Sequence, residues 1–414
     1  MTHERIVITG MGTVNPVGHS VQETWENILA GVSGVGPITL FDASDIPVRI
    51  AAEVKAFDPE AFGLSRKDAR RMSRNQLFAL AAAREAIAQA GLDADRLNPE
   101  RIGVLVSSAI GGLEAIEANI RTMITTGPRR VSPMVIPMLM PNGAAGLTAM
   151  RYGFQGPALS IDSACATGID SLGIAWYLIK AGVIDVAVAG GTEATITQSG
   201  VVAFDRTGAM SRRNEDYQHT PRPFDKNRDG LVMGEGAGVL VIERESHAKA
   251  RGAEILAELA GYAATADAYH ITSPHPEGDG AMRAIRDALA SAGEPPEAVD
   301  HISAHGTGTQ LNDAIETKAI KRALGEHAYR VPISSTKSMT GHMMGATGGL
   351  ETIFCVQAIQ EGVVPPTINY ETPDPECDLD YVPNEPREVP VRVALNNAFG
   401  FGGHNAVIVV RRYE

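Results

Sequence analysis

ALSIDSACATGIDSLG (158–173) and VPISSTKSMTGHMMGA (331–346) read as two versions of one unit: a short β-branched run, a small-residue turn and the start of a helix. The alignment sets Thr167-Gly168 opposite Thr340-Gly341, each expected after a strand and opening a helix. Further pairs recur in the same order. RIVITGMG (5–12) is echoed by EILAELAG (254–261), RIGVLVSSAIGG (101–112) by VDHISAHGTGT (299–309), and GVLVIERE (238–245) by NAVIVVRR (405–412). Matches kept in one order predict an internal duplication, with halves at 1–252 and 253–414. Strands alternating with helical patterns make the fold α/β. The strand runs are continuously apolar rather than alternating, as in strands covered on both faces.

A chain of 414 residues exceeds what one core usually organises, which agrees with two halves. Its three cysteines, Cys165, Cys355 and Cys377, lie far apart and form no CxxC pair, so a reducing, cytoplasmic setting is expected. There is no apolar window of membrane-spanning length and the first residues lack signal-peptide anatomy, so neither membrane insertion nor secretion is expected. A formal charge of −13 argues against a nucleic-acid partner.

Matching strand ends of a duplicated fold converge where the halves meet, which directs attention to the loops at Cys165, His305 and Lys337–His342. Cys165 stands between a predicted strand and a helix with apolar positions Ile169, Leu172, Trp176 and Ile179. At a helix N-terminus the dipole and unpaired N–H groups favour thiolate, as a nucleophile requires. Read alone, Cys165 is equally a small core residue. Cys355, in the apolar run TIFCVQAI, is expected in the core, and Cys377 receives no role. His305 (SAHGTGT) and His342 (STKSMTGHMMGATG) fall on loops after second-half strands, where catalytic groups concentrate. No HExxH, HxxxH or Cys/His spacing motif occurs, so no metal site is expected. GMGTVNPVG (10–18) lacks the third glycine of a dinucleotide loop and reads as a strand-to-helix turn, with no nucleotide cofactor.

Taken together, DSACATG, RPFDKNRDGLVMGEGAGVLVIE (222–243), AHGTGT, STKSMTGHMMGATGG and FGFGGHN resemble the ordered signature blocks of the elongating β-ketoacyl-acyl carrier protein synthases, the synthase II type above all. The resemblance covers nearly the whole chain. It implies a thiolase fold, five αβαβα layers built from two halves with mixed sheets, and a homodimer. It also implies decarboxylative condensation of a Cys165-bound acyl chain with malonyl-acyl carrier protein, with acyl carrier protein as partner and no cofactor. By position, Cys165 takes the acyl group, the N–H groups of Cys165 and Phe401 hold the oxyanion, and His305 and His342 polarise the malonyl thioester. Lys337 pairs with Glu351, Thr307 and Thr309 bind the phosphopantetheine arm, and Phe401 is a gate hinged on Gly400, Gly402 and Gly403. Ile110, Val135, Ala164 and Phe204 line the acyl pocket. A basic helix carrying Arg66, Lys67, Arg70, Arg71 and Arg74, with Arg129 and Arg130, docks the acidic carrier, and Arg206 lies near a further docking position. His404 and the HGTGT loop depart from the commoner pattern. HGTGT is shared with polyketide ketosynthases, which are the alternative reading. A non-catalytic chain-length factor usually lacks the cysteine, and a thiolase would need a second one near the C-terminus, where this chain has GFGGHN.

Overall fold

The computed structural model describes residues 4–414. Nine strands form one continuous hydrogen-bonded sheet: β1 (Ile6–Val14), β2 (Ile102–Ser107), β3 (Val186–Glu193), β4 (Gly236–Arg244), β5 (Ala257–Ala266), β6 (His301–Ser303), β7 (Ile333–Ser334), β8 (Val393–Gly400) and β9 (His404–Arg411), in the order β2-β3-β4-β1-β5-β9-β8-β6-β7. The pairings are antiparallel from β3 through to β8, while β2 beside β3, β6 beside β8 and β7 beside β6 are parallel. That pattern is symmetric about the β1·β5 join, where only Val7↔Glu258 and Ile8↔Ala257 pair. The duplicated sequence pairs are therefore duplicated strands, β1 with β5, β2 with β6 and β4 with β9.

The main helices are α1 (Arg74–Ala90), α2 (Gly143–Tyr152), α3 (Thr167–Lys180), α4 (Asp279–Ala292), α5 (Gln310–Leu324) and α6 (Thr347–Glu361). Helices α1 and α2 cover the outer face of the first half, and α4 packs on β5 and β9 in the second with α5 against it. The central pair, α3 and α6, touches strands of both halves, so the sheet wraps around them and five αβαβα layers result. This central layer contains the largest apolar cluster, with Ile169, Leu172, Trp176 and Ile179 from α3 and Ile353, Phe354 and Cys355 from α6 all buried. Each such large side chain contributes roughly 1.5–3 kcal/mol by leaving water.

The sequence reading needs three corrections. The run 158–164 forms no strand; only Ala158 bridges to Val104, because the chain leaves the sheet edge at once for the turn at Cys165. Gly10 and Gly12 sit inside β1 rather than in a turn, where a Cβ at either would run into the α1 carbonyls of Ala86 and Ala82, so close helix-on-strand packing explains both glycines. The true counterpart of Thr167-Gly168 is Thr347-Gly348. Each of these pairs opens a central helix after a 3₁₀ turn, at Ala164–Ala166 and Met344–Ala346, whereas Thr340-Gly341 ends a short helix, Lys337–Thr340, inserted before the second turn.

Candidate active site

Where the two halves face each other, three loops close on one point. The Ala164–Ala166 turn carries Cys165 to the N-terminal end of α3, with Ala164 held at φ +52°, a conformation that costs an alanine energy and presents the next side chain outward. Thr167 Oγ1 accepts the Ser163 N–H at 3.0 Å and pins the turn. From the second half, His342 Nε2 lies 3.0 Å from Cys165 Sγ, and the His305 ring stands 5.3 Å from the His342 ring, nearly perpendicular to it. Phe399 packs edge-on to His305 at 5.9 Å.

Behind the histidines, Lys337 Nζ is 2.6 Å from Glu351 Oε1 and donates to the Ala304 carbonyl oxygen, with both side chains almost wholly inaccessible. Burial pushes Glu351 up to about 7 against the pull of Lys337. Such a pair is costly to bury and costlier to break. Burial also sets the state of the reacting groups. It drives the Cys165 thiol up to about 11, although the Lys337 charge and the N–H groups of Phe401 and Cys165 pull the other way. It holds His342 down at about 3 and His305 well below its usual range, with the Lys337 charge acting in the same sense on both. The helix end was expected to favour thiolate, but desolvation of the sulfur is the larger effect and acts in the opposite sense.

These residues floor a cleft of about 510 Å³ lined by Cys165, Phe204, His305, Thr307, Thr309 and Phe401, among others. Phe401 stacks on Phe204 at 6.5 Å, and its loop is tied by Gly402 N–H to the Ile271 carbonyl and by Asn405 to Asp267. Gly402 and Gly403 have φ of +84° and +73°, which an L-side chain resists. His404 is exposed at the end of this loop. Thr307 and Thr309 share a 3.1 Å hydroxyl contact, and Thr309 also caps α5. Ile110 and Val135 do not line the cleft, because Val135 turns inward from the short helix Val135–Leu139, which packs on the helix Leu113–Thr126.

The basic run does not form one helix. A short helix spans Arg66–Ala69, Ser73 then starts α1 with a capping box, and Arg74 is drawn inward to Glu235 at 2.6 Å. Arg66 pairs with Glu60. Lys67, Arg70, Arg71, Arg129, Arg130 and Arg206 are exposed. Cys377 is buried in the outer core of the second half.

Sequence reading missed several supporting residues. Thr347 Oγ1 lies 3.2 Å from His342 Nδ1. Buried Glu316 accepts the N–H groups of His305 and Gly306 at 2.8 Å, and its place eleven residues after His305 on the next helix was the available signal. Arg228, from the first half, donates to the carbonyls of Thr309 and Gln310, bracing the HGTGT loop. Glu193, at the end of β3, accepts from Ser108 Oγ, Ala109 N and Gly345 N and so ties one half's loop to the other's turn.

A cysteine at a helix N-terminus, in contact with one buried histidine and close to a second, with a buried lysine behind them, is an arrangement suited to thioester chemistry, and comparison with known proteins gives it a family. The beta-ketoacyl synthase N-terminal domain matches residues 3–248 and the C-terminal domain residues 256–371, and the chain belongs to that family. It is 50% identical over 411 residues, 99% of each chain, to a 3-oxoacyl-[acyl-carrier-protein] synthase 2 of Synechocystis sp.. To the synthase 2 of Staphylococcus aureus it is 48% identical over 412 residues, 100% of this chain and 99% of the relative. Among solved structures, a type II PKS acyl-carrier protein in complex with its ketosynthase bound to the hexaketide matches with TM-score 0.92 and 38% identity, over 99% of this chain and 100% of that one. The fold is the thiolase fold.

Proposed function

We propose that this chain is a 3-oxoacyl-acyl carrier protein synthase of the synthase 2 kind, elongating fatty acyl chains by condensing a Cys165-bound acyl group with malonyl-acyl carrier protein. The observation that carries this reading is the 3.0 Å contact of Cys165 Sγ with His342 Nε2, beside His305, at the floor of a cleft lined by two threonine hydroxyls. Cys165 sulfur attacks the acyl thioester carbonyl; the thiol proton passes to the departing phosphopantetheine sulfur, and the N–H groups of Cys165 and Phe401 hold the oxyanion. With the Thr347 hydroxyl as donor to His342 Nδ1, the ring N–H sits on Nε2 and faces the cleft. His342 and His305 then donate to the malonyl thioester oxygen. The bond to the malonyl carboxylate breaks, carbon dioxide leaves, and the enolate carbon attacks the Cys165 thioester. A carbon–carbon bond forms, the C–S bond breaks, and the Cys165 sulfur takes a proton from solvent, the one proton the decarboxylative condensation consumes.

Lys337 and Glu351 act as positioning residues that keep the histidine pocket's shape. Thr307 and Thr309 hold the phosphopantetheine arm, and Phe401 swings when Cys165 is acylated, a motion its glycine neighbours allow. The carrier protein, acidic by class, docks on Lys67, Arg70, Arg71, Arg129 and Arg130, all exposed on a chain of formal net charge −13. The enzyme is a homodimer of the reducing cytoplasm. The segment that runs along the sheet edge beside β2, bridged at Ala158 and with Leu159 40% exposed, supports a face for the second copy. Among the described residues no helix is long and apolar enough to cross a membrane. The halves divide at 252/253, between the spans matched by the two family models.

A type II polyketide ketosynthase is the second reading, favoured by the HGTGT loop and by the 38% identity to the polyketide ketosynthase structure. Condensation assays with malonyl-acyl carrier protein and saturated acyl-carrier primers of increasing length separate the two. Elongation across a series of fatty acyl primers is expected; turnover confined to a single primer, with iterated β-keto products, would move the assignment to the second reading.

A further inference from the structure

We propose that Cys165, His305 and His342 also form a reversible binding site for Zn²⁺, and that metal binding there shuts off acyl transfer. Among the described residues this is the one group of three His, Cys or carboxylate side chains able to hold an ion, with all ligand atoms within 4.8 Å of one another. One thiolate, two imidazoles and an open fourth position make a borderline-soft set of the kind zinc selects. Donor atoms around a tetrahedral zinc stand roughly 3.5 Å apart, as bonds of about 2.0–2.3 Å dictate. Cys165 Sγ and His342 Nε2, at 3.0 Å, are already close enough, and His305 has to swing in by about an ångström. Nothing holds it back on one side, for His305 Nδ1 is buried with no hydrogen-bond partner.

The cleft supplies both entry path and room for the fourth ligand, because all three side chains line it. The nearby Lys337 charge opposes a cation, but it is paired at 2.6 Å with Glu351 and turned onto the Ala304 carbonyl. Binding is balanced by loss of one proton: the Cys165 S–H bond breaks, a sulfur–zinc bond forms and H⁺ goes to buffer, while His342 moves its ring proton from Nε2 to Nδ1, where the Thr347 hydroxyl accepts it, freeing Nε2 for the metal. A sulfur lone pair held by zinc cannot attack a thioester. No spacing motif announces this site, since its ligands are 140 and 37 residues apart (305 − 165; 342 − 305).

The test uses the full-length chain stripped of metal by a chelator. Titration with Co²⁺ is expected to give a thiolate-to-cobalt charge-transfer band saturating at one ion per chain, bleached by Zn²⁺, with one proton released per ion. Zn²⁺ at ten times its Kd is expected to slow iodoacetamide alkylation of Cys165 and condensation about tenfold, by simple mass action, with EDTA restoring both. Cys165→Ala and wild type already alkylated at Cys165 are expected to lack the band, the second guarding against misfolding of the first. An unchanged Co²⁺ affinity in either, or an alkylation rate untouched by saturating zinc, overturns the proposal. Alkylation requires no acyl carrier protein, so this outcome is independent of the condensing assignment.

Discussion

The first half leaves the sheet near Ala158, turns at Ala164–Ala166 and enters α3 at Thr167. The second leaves it at Ile333–Ser334, inserts Lys337–Thr340 and His342, turns at Met344–Ala346 and enters α6 at Thr347. Both turns carry a non-glycine residue at positive φ, Ala164 at +52° and Met344 at +46°, and both helices open with Thr-Gly. The position after that strained residue is Cys165 in one half and Gly345 in the other. The duplicated fold thus has two equivalent presenting turns, of which one bears the proposed nucleophile and the other is a buttress. A Cβ at Gly345 would meet Ala109 N at 2.8 Å and Glu193 Oε2 at 2.9 Å, so that turn has no room for a side chain. The inserted segment, absent from the first half, brings the lysine and the second histidine. The halves share a frame and divide the chemistry.

The sharpest break in this comparison comes from the second half. His305→Ala is expected to slow condensation by about 10²–10⁴-fold while the acyl adduct on Cys165 still forms, because polarisation of the malonyl thioester is lost and the nucleophile is not. Single-turnover assays of the two half-reactions check this. Lys337→Ala leaves Glu351 buried without its partner and is expected to cost about 3–5 kcal/mol, read as a lowered urea midpoint at unchanged slope. Lys337→Met with Glu351→Leu should recover most of that stability but not the activity.

At the contact between the two central helices, a Cβ at Gly168 would come within 2.8 Å of Gly349 N and 2.9 Å of Gly345 O. Gly168→Ala is expected to cost about 1–3 kcal/mol as the helices are forced apart. A substitution cheaper than a few tenths of a kcal/mol would mean that the halves are not tightly keyed there.

Titration offers a smaller test. His342, at about 3 in the folded chain and near 6.5 unfolded, leaves the unfolded state binding the extra proton as pH falls. Its contribution is intact above about 6.5 and is lost from there toward 3, at about 1.4 kcal/mol per pH unit. Glu193 and Glu351, raised to about 7, act in the opposite sense between about 7 and their ordinary range, so the quantity to read is the difference between wild type and His342→Gln. Wild type is expected to lose relative stability below about 6.5, and a pH-independent difference would show that the imidazole is not held neutral. Smallest of all, Arg129→Ala with Arg130→Ala is expected to raise KM for the carrier-bound substrate several-fold at low salt and little at high salt, leaving kcat unchanged.

Much of this was legible in the sequence because duplication preserves order: the strand pairs, the apolar stripe of α3 and the three converging loops all stood in the residues. Register was not. Thr340-Gly341 imitates Thr167-Gly168, and only the folded chain shows Lys337–Thr340 as an insertion that moves the true counterpart to Thr347-Gly348. The basic run 66–74 looked like one helix face, but the Ser73 capping box restarts the helix and turns Arg74 toward Glu235. The state of Cys165 was also hidden, for the helix end is visible as a pattern while desolvation depends on what the other half lays over the sulfur. Supporting contacts such as Arg228 under the HGTGT loop and Glu193 against Gly345 join distant residues whose types are common everywhere.

The division of labour between the halves is tested most directly by intact-protein mass after incubation with acyl-acyl carrier protein, wild type against Cys165→Ala. One acyl adduct on wild type, none on the variant, and discharge of that adduct by malonyl-acyl carrier protein is the expected result. An adduct that persists in Cys165→Ala would place the nucleophile elsewhere and contradict the account.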